Sequence, residues 1–257
     1  MRVELLPSTI DGPAVMQFGM SLLINDELAI DAGTLGFLWP VERQQRVRHV
    51  LLSHSHLDHT ASLPIFLDNV YEPAEECPVV YGGREALACL RRDVFNDSLW
   101  PDFVRLSEEE FPFLRLREVV SEERVVLPGG LQFTPVLLNH VIPTFGYIIE
   151  DETAAVAFVS DTGPTERIWE LLRGYERLAA VFLECSFPNE LEWLAEKSGH
   201  LCPRLFAVEL QKLSRPIPVL VYHLKPAHHQ AIAAELGALQ YPGLTLAVSG
   251  RVCEFYA

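Results

Sequence analysis

Seven consecutive residues, Ser53-His54-Ser55-His56-Leu57-Asp58-His59, constrain this chain more than any other feature. Three imidazoles and a carboxylate stand within six positions, directly after the short strand-like run Arg48–Leu52. On an extended segment, residues two apart share a side, so His54 and His56 converge on one point. Asp58 and His59 follow as the chain turns and can face a second point beside the first. Imidazole with carboxylate is the ligand set of zinc, manganese or iron. A solvated His-rich loop would not need this order straight after a buried strand.

The rest of the pattern is that of an α/β protein. Short β-prone runs come first: Val3–Leu6, Ser21–Ile24 and Leu28–Ile30, with a hairpin turn at Asn25-Asp26-Glu27. Val79–Tyr81, Leu131–Leu138, Phe145–Ile149, Ala154–Ser160, Val181–Glu184, Pro218–Tyr222, Leu244–Val248 and Val252–Tyr256 are further strands. Helical periodicity marks Pro64–Asn69, Arg84–Phe95, Pro164–Leu172, Glu190–Lys197, Arg204–Leu213 and Ala227–Ala238. The acidic stretches Glu108–Glu110 and Ser121–Glu123 suit a solvated face. No linker or internal repeat divides the chain, which predicts one domain over residues 1–257, two sheets packed together with helices outside.

Composition narrows the partners. With 20 Lys and Arg against 35 Asp and Glu, the formal charge of −15 argues against a nucleic-acid partner gripped over many phosphates. The longest apolar runs are six residues, and the first residues have no long apolar core, so neither a membrane span nor a secretory signal is expected. Five cysteines, odd in number and without a CxxC pair, read as reduced thiols in a cytoplasmic protein.

The HxHxDH cluster resembles the signature of the metallo-β-lactamase superfamily, whose fold is an αββα four-layer sandwich of two mixed β-sheets. The resemblance implies a third histidine, a bridging aspartate and a last histidine, each after a later strand. His140, Asp161 and His223 stand in that order just past strand ends. It implies two divalent ions, with zinc expected and manganese or iron as alternatives. His54, His56, His140 and Asp161 would hold one ion, and Asp58, His59, Asp161 and His223 the other.

Further segments narrow the likeness. Phe95-Asn96-Asp97-Ser98-Leu99-Trp100-Pro101-Asp102, Ser160–Pro164, Glu184–Asn189, Ser198–Leu201 and His223–Pro226 are similar to the class II cyclic-nucleotide phosphodiesterases. This implies hydrolysis of a small 3′,5′-cyclic nucleotide, cyclic AMP foremost, by a homodimer. Asp58 would orient the attacking water, and His200, held by Glu184, would contact phosphate or donate a proton. Lys225 is a candidate for neutralising phosphate. Trp100 and Phe145 are candidates for stacking on a base, although single aromatics more commonly fill a core. Ile142–Tyr147 looks more like the 3′ tRNA-processing endonucleases of the same superfamily, so a phosphodiesterase acting on RNA ends is the alternative. A non-catalytic nucleotide sensor is a second alternative. His49, His228 and His229 read as structural or solvated.

Overall fold

A computed structural model describes residues 1–9, 16–108 and 111–256. Glu109 and Glu110 of the acidic stretch lie outside the described residues. The first sheet takes β1 (Arg2–Leu5), β2 (Leu22–Ile24), β3 (Leu28–Ile30), β4 (His49–Leu51), β5 (Val79–Gly82) and β6 (Arg115–Glu118) in chain order. The second takes β7 (Val125–Val126), β8 (Gln132–Leu137), β9 (Phe145–Glu150), β10 (Ala155–Val159), β11 (Leu178–Glu184), β12 (Val219–Tyr222) and β13 (Leu244–Leu246). The last strand, β14 (Val252–Glu254), returns to pair antiparallel with β1. Both sheets change from antiparallel to parallel midway, at β3–β4 in one and at β10–β11 in the other.

Alternation along the strands builds the layers. On β10, Val156 and Phe158 enter the core between the sheets, while Ala157 and Val159 face the helices outside. On β11, Ala180 and Phe182 point inward, and Val181 and Leu183 outward. The helices Arg167–Leu172, Pro203–Leu210 and His229–Gly237 cover the second sheet through Trp169, Phe206 and Ile232. Helix Leu63–Asn69 covers the first through Phe66 and Leu67. The order helix, sheet, sheet, helix is the α/β sandwich expected.

Two differences from the sequence reading bear on the site and its surroundings. The helix expected to open at Pro164 opens at Arg167. The Pro164 carbonyl instead accepts a bond from Asn139 Nδ2 (2.9 Å), and Gly163 N–H bonds the Asn139 carbonyl (2.7 Å), which ties residues 161–164 to the end of β8. The helix from Arg84 is α-helical to Cys89 and then widens into a π turn over Leu90–Val94.

Polar stitches join the sheets at one end. Tyr147, fully buried on β9, donates its hydroxyl to the Leu52 carbonyl (2.7 Å) just past β4. Phe145 N–H bonds the Ser53 carbonyl (2.9 Å). The edge after β4 is thereby fixed against the edge where β8, β10 and β12 end.

The inner aromatic layer should dominate stability. Phe158→Ala removes a ring exposed to 1% and stacked on Phe182 at 5.0 Å, and should cost about 3–5 kcal/mol. Urea unfolding measures this, and a loss below about 1 kcal/mol would contradict the packing described.

Candidate metal centre

The joined edge gathers groups from both sheets. After β4 the chain supplies His54 and His56, then turns into the short helix Leu57–Thr60 with Asp58 and His59. From the other sheet come His140 after β8, Asp161 after β10, Glu184 at the end of β11 and His223 after β12. Side-chain donor atoms of His54, His56, His140 and Asp161 all lie within 4.8 Å of one another. Asp58, His59 and His223 form a second such set, and Asp161, His200 and His223 a third.

Asp161 is the hub. Its Oδ2 lies 3.4 Å from His59 Nε2, 3.7 Å from His54 Nε2 and 4.0 Å from His140 Nε2. Its Oδ1 lies 3.5 Å from His223 Nε2 and is buried without a hydrogen-bond partner.

Accounting for protons shows what the cluster lacks. His140 Nδ1 faces the Gly199 carbonyl at 2.7 Å and must donate to it, which leaves Nε2 bare. Ser186 gives its proton to the His223 carbonyl (3.0 Å), so His223 Nδ1 donates to Ser186 Oγ (2.8 Å) and its Nε2 is bare. Ser53 gives its proton to the Asp31 carboxylate (2.9 Å), so His54 Nδ1 donates to Ser53 Oγ (2.9 Å). These tautomers follow from the partners. Bare nitrogens thus face a buried carboxylate, an arrangement rich in electron pairs and poor in protons. Divalent cations fit it, because such ligands must be deprotonated to bind.

Titration points the same way. Burial holds the imidazoles of His54, His56 and His140 below the ordinary histidine pKa, in the neutral, ligating form. Burial opposes charge on His59 too, but Asp161 and Asp31 outweigh it and raise its pKa well above the usual value. A fully buried imidazole that still gathers positive charge marks a place that attracts cations. Burial likewise opposes ionisation of Asp58, yet the His223 imidazole 3.3 Å away and the charge of His59 hold its carboxyl well below the usual range.

Several supports were not visible in the sequence. Asp31, just past β3, receives the His59 Nδ1–H bond (2.7 Å) and the Ser53 N–H bond (2.8 Å). Its only signal was a carboxylate ending an apolar strand. Gln17 accepts the His223 N–H bond through Oε1 (2.5 Å). His223 has φ of 59°, a left-handed conformation that costs on the order of 1–3 kcal/mol and is held by its surroundings. Gly33 is dictated by close approach, since a Cβ there would lie 2.0 Å from the Asp58 carbonyl oxygen. Gly199 has φ of +67°, and its carbonyl is the His140 partner.

The remaining sequence candidates separate. His200, exposed to 7%, meets Glu184 through Nδ1 at 2.7 Å, with Nε2 3.9 Å from Asp161 Oδ2. Burial disfavours its charge, but Glu184 and then Asp161 raise its pKa above the ordinary value. Lys225 Nζ stands 3.6 Å from Asp58 Oδ2. Trp100 is half-buried in the wall of an apolar groove with Leu57. Phe145 needs correction: it is exposed to only 7% and packs in the core between the sheets, against the Gly83 position. It follows a turn and enters β9 on the inward side of the pleat, so its ring offers no face to a base.

The profile of the family described as a β-lactamase superfamily domain matches residues 29–224. A curated relative in Yersinia pestis, described as a probable 3′,5′-cyclic-nucleotide phosphodiesterase, is 24% identical over 243 residues, covering 84% of this chain and 66% of its own length. Two others, each described as a 3′,5′-cyclic-nucleotide phosphodiesterase, are spanned over 60% and 58% of their length. Among solved structures, unliganded yeast PDE1 matches with a TM-score of 0.78 at 18% identity, over 100% of this chain and 99% of that one. Human tRNase Z, short form, matches at 0.70 and 16% identity, over 100% of both chains. Both structural likenesses are likenesses of fold.

Asp31→Asn keeps the shape but weakens the acceptor for His59. A chelator competition assay should show metal affinity lowered about 10–100-fold. Unchanged affinity would remove Asp31 from the support of the centre.

Proposed function

The chain belongs to the β-lactamase superfamily, and on that premise we propose that it is a metal-dependent phosphodiesterase opening a 3′,5′-cyclic nucleotide, cyclic AMP foremost, to the 5′-monophosphate. The observation that carries this reading is the His200–Glu184 pair at 2.7 Å, with His200 Nε2 turned toward Asp161. Expelling an alkoxide from phosphorus requires a proton as the bond breaks, and a charged imidazole beside the hub can give one. The relatives named for cyclic-nucleotide hydrolysis support the same choice.

His54, His56, His140 and Asp161 would hold one divalent ion, and Asp58, His59, Asp161 and His223 a second, zinc or else manganese or iron. Such ions supply Lewis-acid charge to phosphoryl oxygens and acidify water. Asp58, partly exposed at the rim, orients the attacking water. Lys225, beside it, offers an ammonium to a phosphate oxygen. The bond formed joins the water oxygen to phosphorus as one water proton passes to solvent at the rim. The bond broken is that to O3′, and the proton on His200 Nε2 ends on O3′ and is restored to His200 from solvent. Glu184, fully buried, keeps the His200 ring oriented and favours its charged form.

Net charge of −15 supports a small substrate over a long RNA. The five unpaired cysteines are in keeping with a reducing, cytoplasmic setting.

Chromatography of cyclic AMP incubated with metal-reconstituted protein tests the reading. Wild type should yield 5′-AMP. His56→Ala should lose both bound metal and turnover, whereas His200→Ala should keep its metal and lose about 10²–10⁴-fold in kcat. Full turnover by His200→Ala, or no 5′-AMP from fully loaded wild type, would overturn it.

A further inference from the structure

Beside the candidate centre lies a groove of about 260 Å³ whose walls include Leu57, Pro64, Ile65, Val94, Leu99 and Trp100. Among the described residues no charged side chain lines it. Leu57 sits between His56 and Asp58, so the groove begins one residue from two candidate ligands. The opposite wall is the Phe95–Asp102 segment, a motif that the chemistry of the centre leaves unused.

That segment is held before any ligand arrives. Asn96 Oδ1 accepts the N–H groups of Ser98 (3.0 Å) and Leu99 (2.9 Å), and Asn96 Nδ2 donates to the Arg92 carbonyl (3.0 Å). Asp97, at φ of 60°, accepts the Asp102 N–H bond (3.0 Å) and a bond from Arg105 (3.3 Å). This scaffold holds Leu99 out at 66% exposure, while Leu57 is exposed to 70% across the groove. With Trp100, Pro64 and Ile65 these two side chains make one continuous apolar lining. The buried indole N–H of Trp100 has no hydrogen-bond partner among the described residues.

We propose that this groove is the nucleobase subsite of the centre, taking the purine ring of a nucleotide whose phosphate lies at the His and Asp cluster. The inference rests on the reading of the centre as a nucleotide hydrolase. Phosphate and ribose are polar, and the base is the part of a nucleotide with two apolar faces; an uncharged, apolar groove suits that part alone. Its position beside Asp58 leaves the ribose to bridge groove and centre. A pre-formed wall spares the ordering cost of binding.

Adenosine, which carries no phosphate, isolates the base from the metal chemistry. The protein is labelled with ¹⁵N at its indoles, and the Trp100 signal is identified by its loss in Trp100→Phe. Adenosine should shift that signal saturably, and Leu99→Asp, altered at an exposed position, should weaken the binding at least tenfold. For cyclic AMP, Leu99→Asp should raise KM by a similar factor with kcat within about twofold. Turnover of cyclic AMP without any adenosine effect at Trp100 would overturn the subsite and leave the proposed function standing. Adenosine binding without cyclic-nucleotide turnover would do the reverse. A Trp100 signal that follows protein concentration and ignores adenosine would assign the groove to self-association and overturn the subsite as well.

Discussion

Bare imidazole nitrogens facing a buried carboxylate are the constraint on which this structure turns. His54, His140 and His223 spend their one ring proton on Ser53, Gly199 and Ser186, so their other nitrogens meet Asp161 with nothing to offer it. A protein interior tolerates such a gathering only when positive charge fills it. His59 and His200, their pKa values raised by neighbouring carboxylates, are the buried imidazoles placed to gather protons there. Divalent cations would satisfy the whole set together.

The sandwich makes this gathering geometrically cheap. Each sheet contributes the ends of its strands, and the core between them sets the distance. Tyr147 and Phe145 fasten the two edges immediately beneath the centre, while Gly33 lets the Asp58 turn lie against the loop after β3. An acidic chain thus acquires a place for an anion through the ions it can hold, with Lys225 as a nearby protein cation.

What was legible in the sequence depended on how local it was. The HxHxDH cluster needed only the alternation of an extended segment, and the layered fold followed from apolar strands alternating with amphipathic helices. His140, Asp161 and His223 were reached because each stands just past a strand end and the resemblance called for residues there. Asp31, Ser186, Gln17 and Gly199 were not reached. They act through contacts as distant as the 206 positions between Gln17 and His223, and nothing near them in sequence marks the partner. Phe145 misled for a related reason: an aromatic next to a histidine motif looks available, yet the pleat of β9 turns it into the core. The Pro164 helix failed because Asn139, 25 residues away, captures the backbone that would have begun it.

The number of divalent ions bound per chain tests the central claim most directly. Metal-stripped protein titrated with zinc, followed by elemental analysis after buffer exchange, should retain two equivalents per chain. Retention of none, or of one with the second never exceeding weak surface binding, would contradict a paired centre bridged by Asp161.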